Sequence, residues 1–198
     1  MRRILFVNAC IRGEQSRTLR LARGFLRRFG ESHGDFEVET ADLNALRLMP
    51  LYEDTLNARN AAGDHFEDAQ FDLARQFKAA DLLVIAAPFW EGTFPAALHT
   101  YLERVCVTGF TFSCGEHGYT GHCRAQEAVF ITTRGGIYEE GEAVRDNHAY
   151  GFLRTVLGML GVRTLHTVAA EGLDIEGADV ETILAKAEKR LETLAGEI

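Results

Sequence analysis

Residues 81–105 read DLLVIAAPFWEGTFPAALHTYLERV, and this stretch decides the fold class. Its opening run, Leu82 to Ala87, is apolar on both faces, which favours a central strand of a parallel sheet covered by helices on each side. Pro95 suits the first turn of a following helix, where its missing N–H costs nothing. The apolar side chains after it recur with helical spacing: Leu98, Tyr101, Leu102 and Val105. The stretch therefore predicts a strand, a loop and a helix that packs on the sheet.

The loop between this strand and this helix carries two aromatic side chains, Phe89 and Trp90. It follows the carboxyl end of a strand, which is where open α/β sheets bind ligands. We interpret the loop as a wall for a flat aromatic cofactor. A turn that simply buries two rings is the alternative.

The length and composition are those of one well-cored α/β domain spanning residues 1–198. Hydrophobic residues make up 46% of the chain, charged residues 25%, and the formal net charge is −8. An acidic protein of this kind is not expected to have nucleic acid or an anionic membrane as its main partner. No apolar run approaches the roughly 18 residues of a membrane span.

The start of the chain lacks the apolar core of a signal peptide, so a cytoplasmic location is expected. In that compartment cysteines are kept as thiols rather than structural disulfides. The chain has four of them: Cys10, Cys106, Cys114 and Cys123.

The first strand is predicted from Ile4 to Asn8, and a helix begins near Ser16 or Thr18. A strand that leads through a hydroxyl-bearing loop into a helix N-terminus forms an anion site, because free N–H groups and the helix dipole favour a phosphate. The guanidinium group of Arg12 or Arg17 would add charge-assisted hydrogen bonds. A plain N-cap at Ser16 beside solvent-exposed arginines is the alternative.

Three further runs of sequence predict strands: Phe36–Thr40, Ala128–Thr133 and Leu165–Ala170. Five strands alternating with helices predict a doubly wound parallel sheet. We take its strand order as the flavodoxin-like 2-1-3-4-5, in which strands one, three and four are neighbours across the switch point. The fourth strand runs into Gly135 and Gly136, which permit a close approach of backbone to a ligand. The segment from Asp42 to Glu67 is either a lid or contains short helices.

The loops after strands one, three and four meet at the switch point of such a sheet, where FMN sits in the flavodoxin-like order. One loop offers phosphate contacts, the second an aromatic wall, and the third a glycine backbone for a ring edge. Their convergence is a stronger indication of a cofactor site than any loop alone.

Three motifs carry a resemblance to a known family: APFWEGTFPAALHTYLERV, VTGFTF from Val107, and ITTRGGIY from Ile131. They are similar to the flavodoxin-fold NAD(P)H:quinone oxidoreductases and FMN-dependent NADH-azoreductases, and the resemblance covers nearly the whole chain. It implies an FMN cofactor, NADH or NADPH as electron donor, and a quinone or azo compound as acceptor in a ping-pong reaction. It also implies a homodimer whose partner closes the pocket, with Thr108–Tyr119 and the Asp42–Glu67 connection as the candidate contacts.

The resemblance also assigns residues. Cys10 stands where the family usually has a serine, and Tyr138 often corresponds to a histidine in relatives. Glu91 replaces an asparagine, and a carboxylate there can accept a hydrogen bond from the ring but cannot donate one. Trp90 and Tyr138 are the predicted catalytic residues. The predicted cofactor-binding residues are Cys10, Arg12, Ser16, Arg17, Thr18, Pro88, Phe89, Trp90, Glu91, Gly92, Thr133, Arg134, Gly135 and Gly136.

Other classes of function remain as alternatives. A flavodoxin-type one-electron carrier would share the fold and FMN. A cysteine phosphatase would use Cys10 and Arg17, although six residues separate them where such enzymes have five. A zinc-binding module would draw on the Cys- and His-rich segment Cys106–Cys123, whose ligand types suit zinc but whose spacing is not that of a standard zinc finger.

Overall fold

A five-stranded parallel sheet runs through the computed structural model, which describes residues 2–198. The strands, in chain order, are β1 (Arg2–Asn8), β2 (Phe36–Asp42), β3 (Leu82–Ala86), β4 (Phe112–Gly115), β5 (Gly118–Gly121), β6 (Glu127–Thr133) and β7 (Thr164–Ala170). The sheet order is β2-β1-β3-β6-β7, while β4 and β5 form a separate antiparallel hairpin. With the hairpin left out of the count, this is the predicted order 2-1-3-4-5, and the fold prediction is confirmed.

Helices cover both faces of the sheet. They are α1 (Arg17–His33), α2 (Leu43–Leu46), α3 (Glu53–Ala61), α4 (Asp72–Ala79), α5 (Ala96–Val105), α6 (His148–Leu160) and α7 (Val180–Glu197). On one face, Leu83 and Ile85 of β3 belong to the same apolar cluster as α5 and α6. On the other face, Leu82 and Val84 share a cluster with α1 and α7. β3 is thus buried on both sides, as its unbroken apolar run predicts.

Each strand of the five-stranded sheet differs from the sequence-based expectation at one end, by one or two residues. Pro95 has an extended ψ of 142° and is the N-cap of α5, so it lies just before the first turn rather than in it. Residues 69–79, whose apolar spacing predicts one helix, form a short 3-10 helix, Ala69–Phe71, followed by α4. The connection after Asp42 contains α2 and α3, so the second of its two interpretations is correct.

Within residues 2–198, none of the helices combines the length and the apolar character that crossing a membrane would require.

Candidate functional site

A cleft of about 90 Å³ opens at the carboxyl ends of the central strands. Its walls are the loops after β1, β3, β6 and β7, which meet because parallel strands end at the same edge of the sheet. The lining residues are Arg12, Ser16 and Arg17 after β1, Pro88, Phe89 and Trp90 after β3, Thr133, Arg134 and Gly135 at the end of β6, and Leu173 and Asp174 after β7. The structure therefore brings together residues from all three loops that the sequence singles out.

One end of the cleft is the N-terminus of α1. Ser16 is the N-cap, and its Oγ accepts a hydrogen bond from the N–H of Leu19 at 3.3 Å. The first two amides of the helix, those of Arg17 and Thr18, have no hydrogen-bond partner in the described part of the chain. Unpaired amides at the positive end of a helix dipole favour a bound anion. The exposed Arg12 adds a positive charge at the same end.

Arg17 already has a carboxylate partner in this structure. Its Nη1 lies 3.0 Å from Oδ1 of Asp174, and both side chains reach solvent. Asp174 follows β7, so this ion pair crosses the cleft from one loop to another. An incoming phosphate would meet a guanidinium group that is ordered but exposed, and exposed pairs of this kind are worth only about 0–1 kcal/mol.

Thr18 and Thr133 join α1 to β6, and of the two only Thr133 lines the cleft. Their hydroxyl oxygens are 2.6 Å apart, and both side chains are buried. A hydrogen bond between two buried hydroxyls holds the helix N-terminus against the end of the strand. Through this hydrogen bond, the two predicted site residues fix the position of the anion-binding end of the cleft.

Cys10 does not reach the cleft. Its backbone N–H donates to Oδ1 of Asn8 at 3.1 Å and its Sγ to the carbonyl oxygen of Ala86 at 3.6 Å. Burial raises the pKa of the Cys10 thiol to about 11. Because the nucleophilic species is the thiolate, a buried neutral thiol outside the cleft is unsuited to attack on phosphorus, which argues against the phosphatase alternative.

The opposite wall of the cleft is aromatic. Phe89 and the exposed Trp90 line it, and the Phe89 ring centroid lies 4.5 Å from that of Tyr138. Tyr138 therefore supports the wall from the loop after β6, although it does not itself line the cleft. Aromatic rings offset in this way contribute about 0.5–1.5 kcal/mol beyond their burial.

Trp90 is placed by a tight turn. It exchanges two backbone hydrogen bonds with Thr93, at 3.3 and 2.8 Å. The two central residues of the turn, Glu91 and Gly92, have positive φ angles of 50° and 81°. Positive φ at both positions characterises a type I′ turn, for which Asn-Gly is the preferred sequence. Glu91 thus occupies a strained position that asparagine accepts readily.

We expect Glu91→Asn to stabilise the protein by about 0.5–1 kcal/mol, because asparagine tolerates the left-handed conformation better than glutamate does. For a chain of this size the melting temperature would rise by about 1–4 °C. Glu116→Asn is the matched control, since that exposed turn residue does not have a positive φ. An equal gain in both variants would assign the effect to lost charge and not to the turn.

Gly135 lies where a side chain would not fit. A Cβ built there would lie 2.7 Å from Oδ2 of Asp174, whose N–H donates to the carbonyl oxygen of Gly135 at 3.1 Å. The next residue, Gly136, would place a Cβ 3.1 Å from the Tyr138 ring. The paired glycines thus let the loops after β6 and β7 pack against each other at the edge of the cleft.

Arg134 is buried, unlike the exposed arginines of the first loop. Its Nη1 lies 2.6 Å from Oε1 of Glu171, the residue that directly follows β7. Neither Glu171 nor Asp174 was among the predicted site residues. Their only signal in the sequence is their position after the fifth strand, whose end lies at the same edge of the sheet as the other loops.

The predicted residues therefore fall into two groups. Those that line the cleft are Arg12, Ser16, Arg17, Pro88, Phe89, Trp90, Thr133, Arg134 and Gly135. Those that flank or support it are Cys10, Thr18, Glu91, Gly92, Gly136 and Tyr138. Residues 2–198 also contain no group of three or more His, Cys, Asp or Glu side chains placed to hold a metal ion, so the zinc alternative has no ligand set among them.

An open parallel sheet with this strand order and a cleft at its switch point defines a flavodoxin-like α/β protein. The model of the family described as having a flavodoxin-like fold matches residues 2–195, and the chain belongs to this family.

Relatives extend over the same length. The FMN-dependent NADH:quinone oxidoreductase 2 of Clostridium acetobutylicum is 37% identical over 186 residues, which is 93% of each chain. The FMN-dependent NADH:quinone oxidoreductase 1 of Bacillus subtilis is 31% identical over 207 residues, with both chains fully covered. Among solved structures, an azoreductase from Bacillus anthracis str. Sterne is 28% identical, with a TM-score of 0.89 and full coverage of both chains.

Proposed function

We propose that this protein is an FMN-dependent oxidoreductase that transfers electrons from NADH or NADPH to quinones, azo compounds or similar acceptors. Relatives that match it along nearly their whole length carry the names of such enzymes. One observation in the structure carries the proposal. A cationic helix N-terminus and an aromatic wall meet in a single cleft at the switch point of the sheet.

The cleft has the chemistry that FMN requires at each end. Unpaired amides and the guanidinium groups of Arg12 and Arg17 suit the phosphate. Phe89 and Trp90 suit the face of the ring, and Gly135 brings its backbone to the lining of the cleft. The cleft, of about 90 Å³, is open on one side, so a bound mononucleotide would extend beyond it.

Bound FMN would supply the hydride and electron chemistry, so the protein's part is binding, orientation and electrostatics. In the proposed arrangement Trp90 and Tyr138 flank the place where the nicotinamide and then the acceptor stack. Holding two reactants in one place is worth up to about 7–11 kcal/mol of the barrier. Use of one place by both substrates in turn is a ping-pong scheme, and parallel double-reciprocal plots would support it.

We further propose that the chain acts as a single domain in the cytoplasm and forms a homodimer that completes the cleft. Exposed apolar side chains next to the cleft support this assembly. They lie on α6 and on the adjoining loops: Trp90, Ile137, Val144, Tyr150 and Phe152. The segments expected at the contact also expose Met49, Tyr52 and Tyr119. Size-exclusion chromatography with light scattering tests the dimer.

The test of the main proposal is reconstitution of the purified protein with FMN. We expect about one FMN per chain, a visible absorption spectrum perturbed from that of free flavin, and oxidation of NADH or NADPH that depends on a quinone. Failure to bind flavin after incubation with excess FMN would contradict the proposal. Flavin binding without pyridine-nucleotide oxidation, together with a stable one-electron-reduced state on titration, would instead support the carrier alternative.

Trp90→Ala tests the aromatic wall. Loss of one stacked ring is expected to weaken FMN or acceptor binding by about two- to tenfold, the equivalent of an aromatic pair. Trp90→Phe keeps a ring and should retain most of the affinity, so it is the matched control. Titration curves that are the same for Trp90→Ala and the parent protein would count against this role.

A further inference from the structure

The carboxylate of Glu171 receives three donors from the loop that follows β6. Oε1 accepts from Nη1 of Arg134 at 2.6 Å and from the N–H of Tyr138 at 2.9 Å. Oε2 accepts from the N–H of Glu139 at 3.2 Å. The loop is thus wrapped around a single side chain that belongs to the end of another strand. The same loop contributes Gly135 to the cleft.

The ion pair at the centre of this arrangement is buried. The side chain of Arg134 is 1% exposed and that of Glu171 is 13% exposed. Nε of Arg134 has no hydrogen-bond partner among the described residues. Burying an ion pair is rarely more stabilising than burying apolar side chains of the same size. Stability alone therefore does not account for a charged pair at this position.

The pair lies next to the aromatic wall. The guanidinium carbon of Arg134 is 5.4 Å from the centroid of the Phe89 ring, and both residues line the cleft. In the proposed arrangement the flavin ring packs against Phe89, so this buried positive charge would act on it more strongly than a charge in solvent does. The negative charge of Glu171, 2.6 Å away and nearly buried, offsets it, whereas the carboxylate of Glu139 lies farther off, at 3.9 Å, and is exposed.

We propose that Glu171 is a positioning residue for the FMN site and that its charge, by offsetting Arg134, keeps the reduction potential of the bound flavin low. The inference rests on the proposed function. Bound FMN, once reduced by hydride from NADH, would carry one more negative charge until a proton arrives. Arg134 without the charge of Glu171 would stabilise that negative charge and make reduced FMN a weaker donor to the acceptor.

The two roles of Glu171 can be separated by two substitutions. Glu171→Gln removes the charge but keeps an oxygen that can accept from the loop. We expect reduced FMN to gain about tenfold in affinity relative to oxidised FMN, the order that Coulomb's law gives for a nearby unit charge in a partly dry site. For a two-electron couple this is a rise of about 30 mV in potential. Glu171→Asp keeps the charge but shortens the reach, so FMN binding weakens while the potential stays unchanged.

Arg134→Gln should shift the reduction potential in the direction opposite to Glu171→Gln. It leaves Glu171 uncompensated, so the potential of bound FMN should fall. The double variant Arg134→Gln with Glu171→Gln removes both charges and should return close to the parent potential. Glu31→Gln is the control, because it removes the same charge from an exposed ion pair with Arg28 on α1. It should leave the potential unchanged.

The measurement is the midpoint potential of the reconstituted protein by dye-coupled reduction, with FMN dissociation constants measured alongside. Opposite shifts in the two single variants, cancelled in the double variant, support the inference. A parent-like potential in folded Glu171→Gln or Arg134→Gln overturns it. If only the double variant folds, a potential that differs from the parent's overturns it as well. Failure of the parent protein to bind FMN would instead count against the proposed function.

Discussion

Gly121→Ala is expected to destabilise the protein by about 3 kcal/mol or more, at the upper end of the range for overpacking. A Cβ at position 121 would lie 2.1 Å from the backbone N of Gly161 and 2.2 Å from the carbonyl carbon of Leu160. Both are backbone atoms at the end of α6, so no side-chain rotation relieves the contact. The hairpin would have to move away from the helix, and the expected loss in melting temperature is about 6–12 °C.

Gly115→Ala is the control for that change. It lies in the partner strand of the same hairpin, has no atom within 4 Å of a built Cβ, and does not have a positive φ. Thermal unfolding of both variants, followed by circular dichroism, compares them directly. If Gly121→Ala has the same melting temperature as Gly115→Ala and the parent, the close packing of β5 on α6 is not a feature of the folded protein.

The sheet could be predicted from the sequence because its signals are local. Every residue from Leu82 to Ala87 is apolar, so a strand formed by this run is apolar on both faces, which suits a central position in the sheet. A glycine after an apolar helical repeat is likewise a local signal, and Gly161 ends α6 with a φ of 109°. The alternation of strands and helices predicts a doubly wound parallel sheet, and the order 2-1-3-4-5 is the one that brings the three unusual loops together at its switch point.

The parts of the cleft that the sequence missed depend on tertiary contacts. Glu171 and Asp174 are ordinary acidic residues in a surface-like stretch, and nothing nearby marks them. They matter because β7 ends beside β6, which brings one carboxylate to Arg134 and the other to Arg17. Cys10 shows the reverse case, in which a residue that the loop pattern selects turns inward to the core.

At Glu91, the resemblance to relatives and the backbone geometry of the turn favour the same residue, asparagine. The resemblance marks this position as asparagine in relatives, and the chemistry of the ring offers one reason for it. The φ of 50° at Glu91 supplies a second reason, because the turn itself favours asparagine before Gly92. Glutamate in place of asparagine at this position therefore changes the hydrogen bonds available to the ring and also strains the turn.

Arg17→Gln is expected to weaken FMN binding by about ten- to hundredfold, the usual worth of a hydrogen bond to a charged group. It should leave riboflavin binding nearly unchanged, because riboflavin has the ring but no phosphate. The physical reason is that Arg17 is the cation at the N-terminus of α1, next to unpaired amides. Raising the salt concentration should reduce the difference in FMN affinity between the variant and the parent, since the contact between Arg17 and the phosphate would be exposed to solvent.

Asp174→Asn distinguishes loss of the cation from loss of the ion pair. It removes the negative partner of the 3.0 Å ion pair but leaves the guanidinium group of Arg17 in place, with an amide oxygen that can still accept its hydrogen bond. FMN binding should therefore be unchanged or tighter, in contrast to Arg17→Gln. Fluorescence titrations of both variants with FMN and riboflavin give the four constants needed. If Arg17→Gln weakens riboflavin as much as FMN, Arg17 supports the loop and does not bind the phosphate.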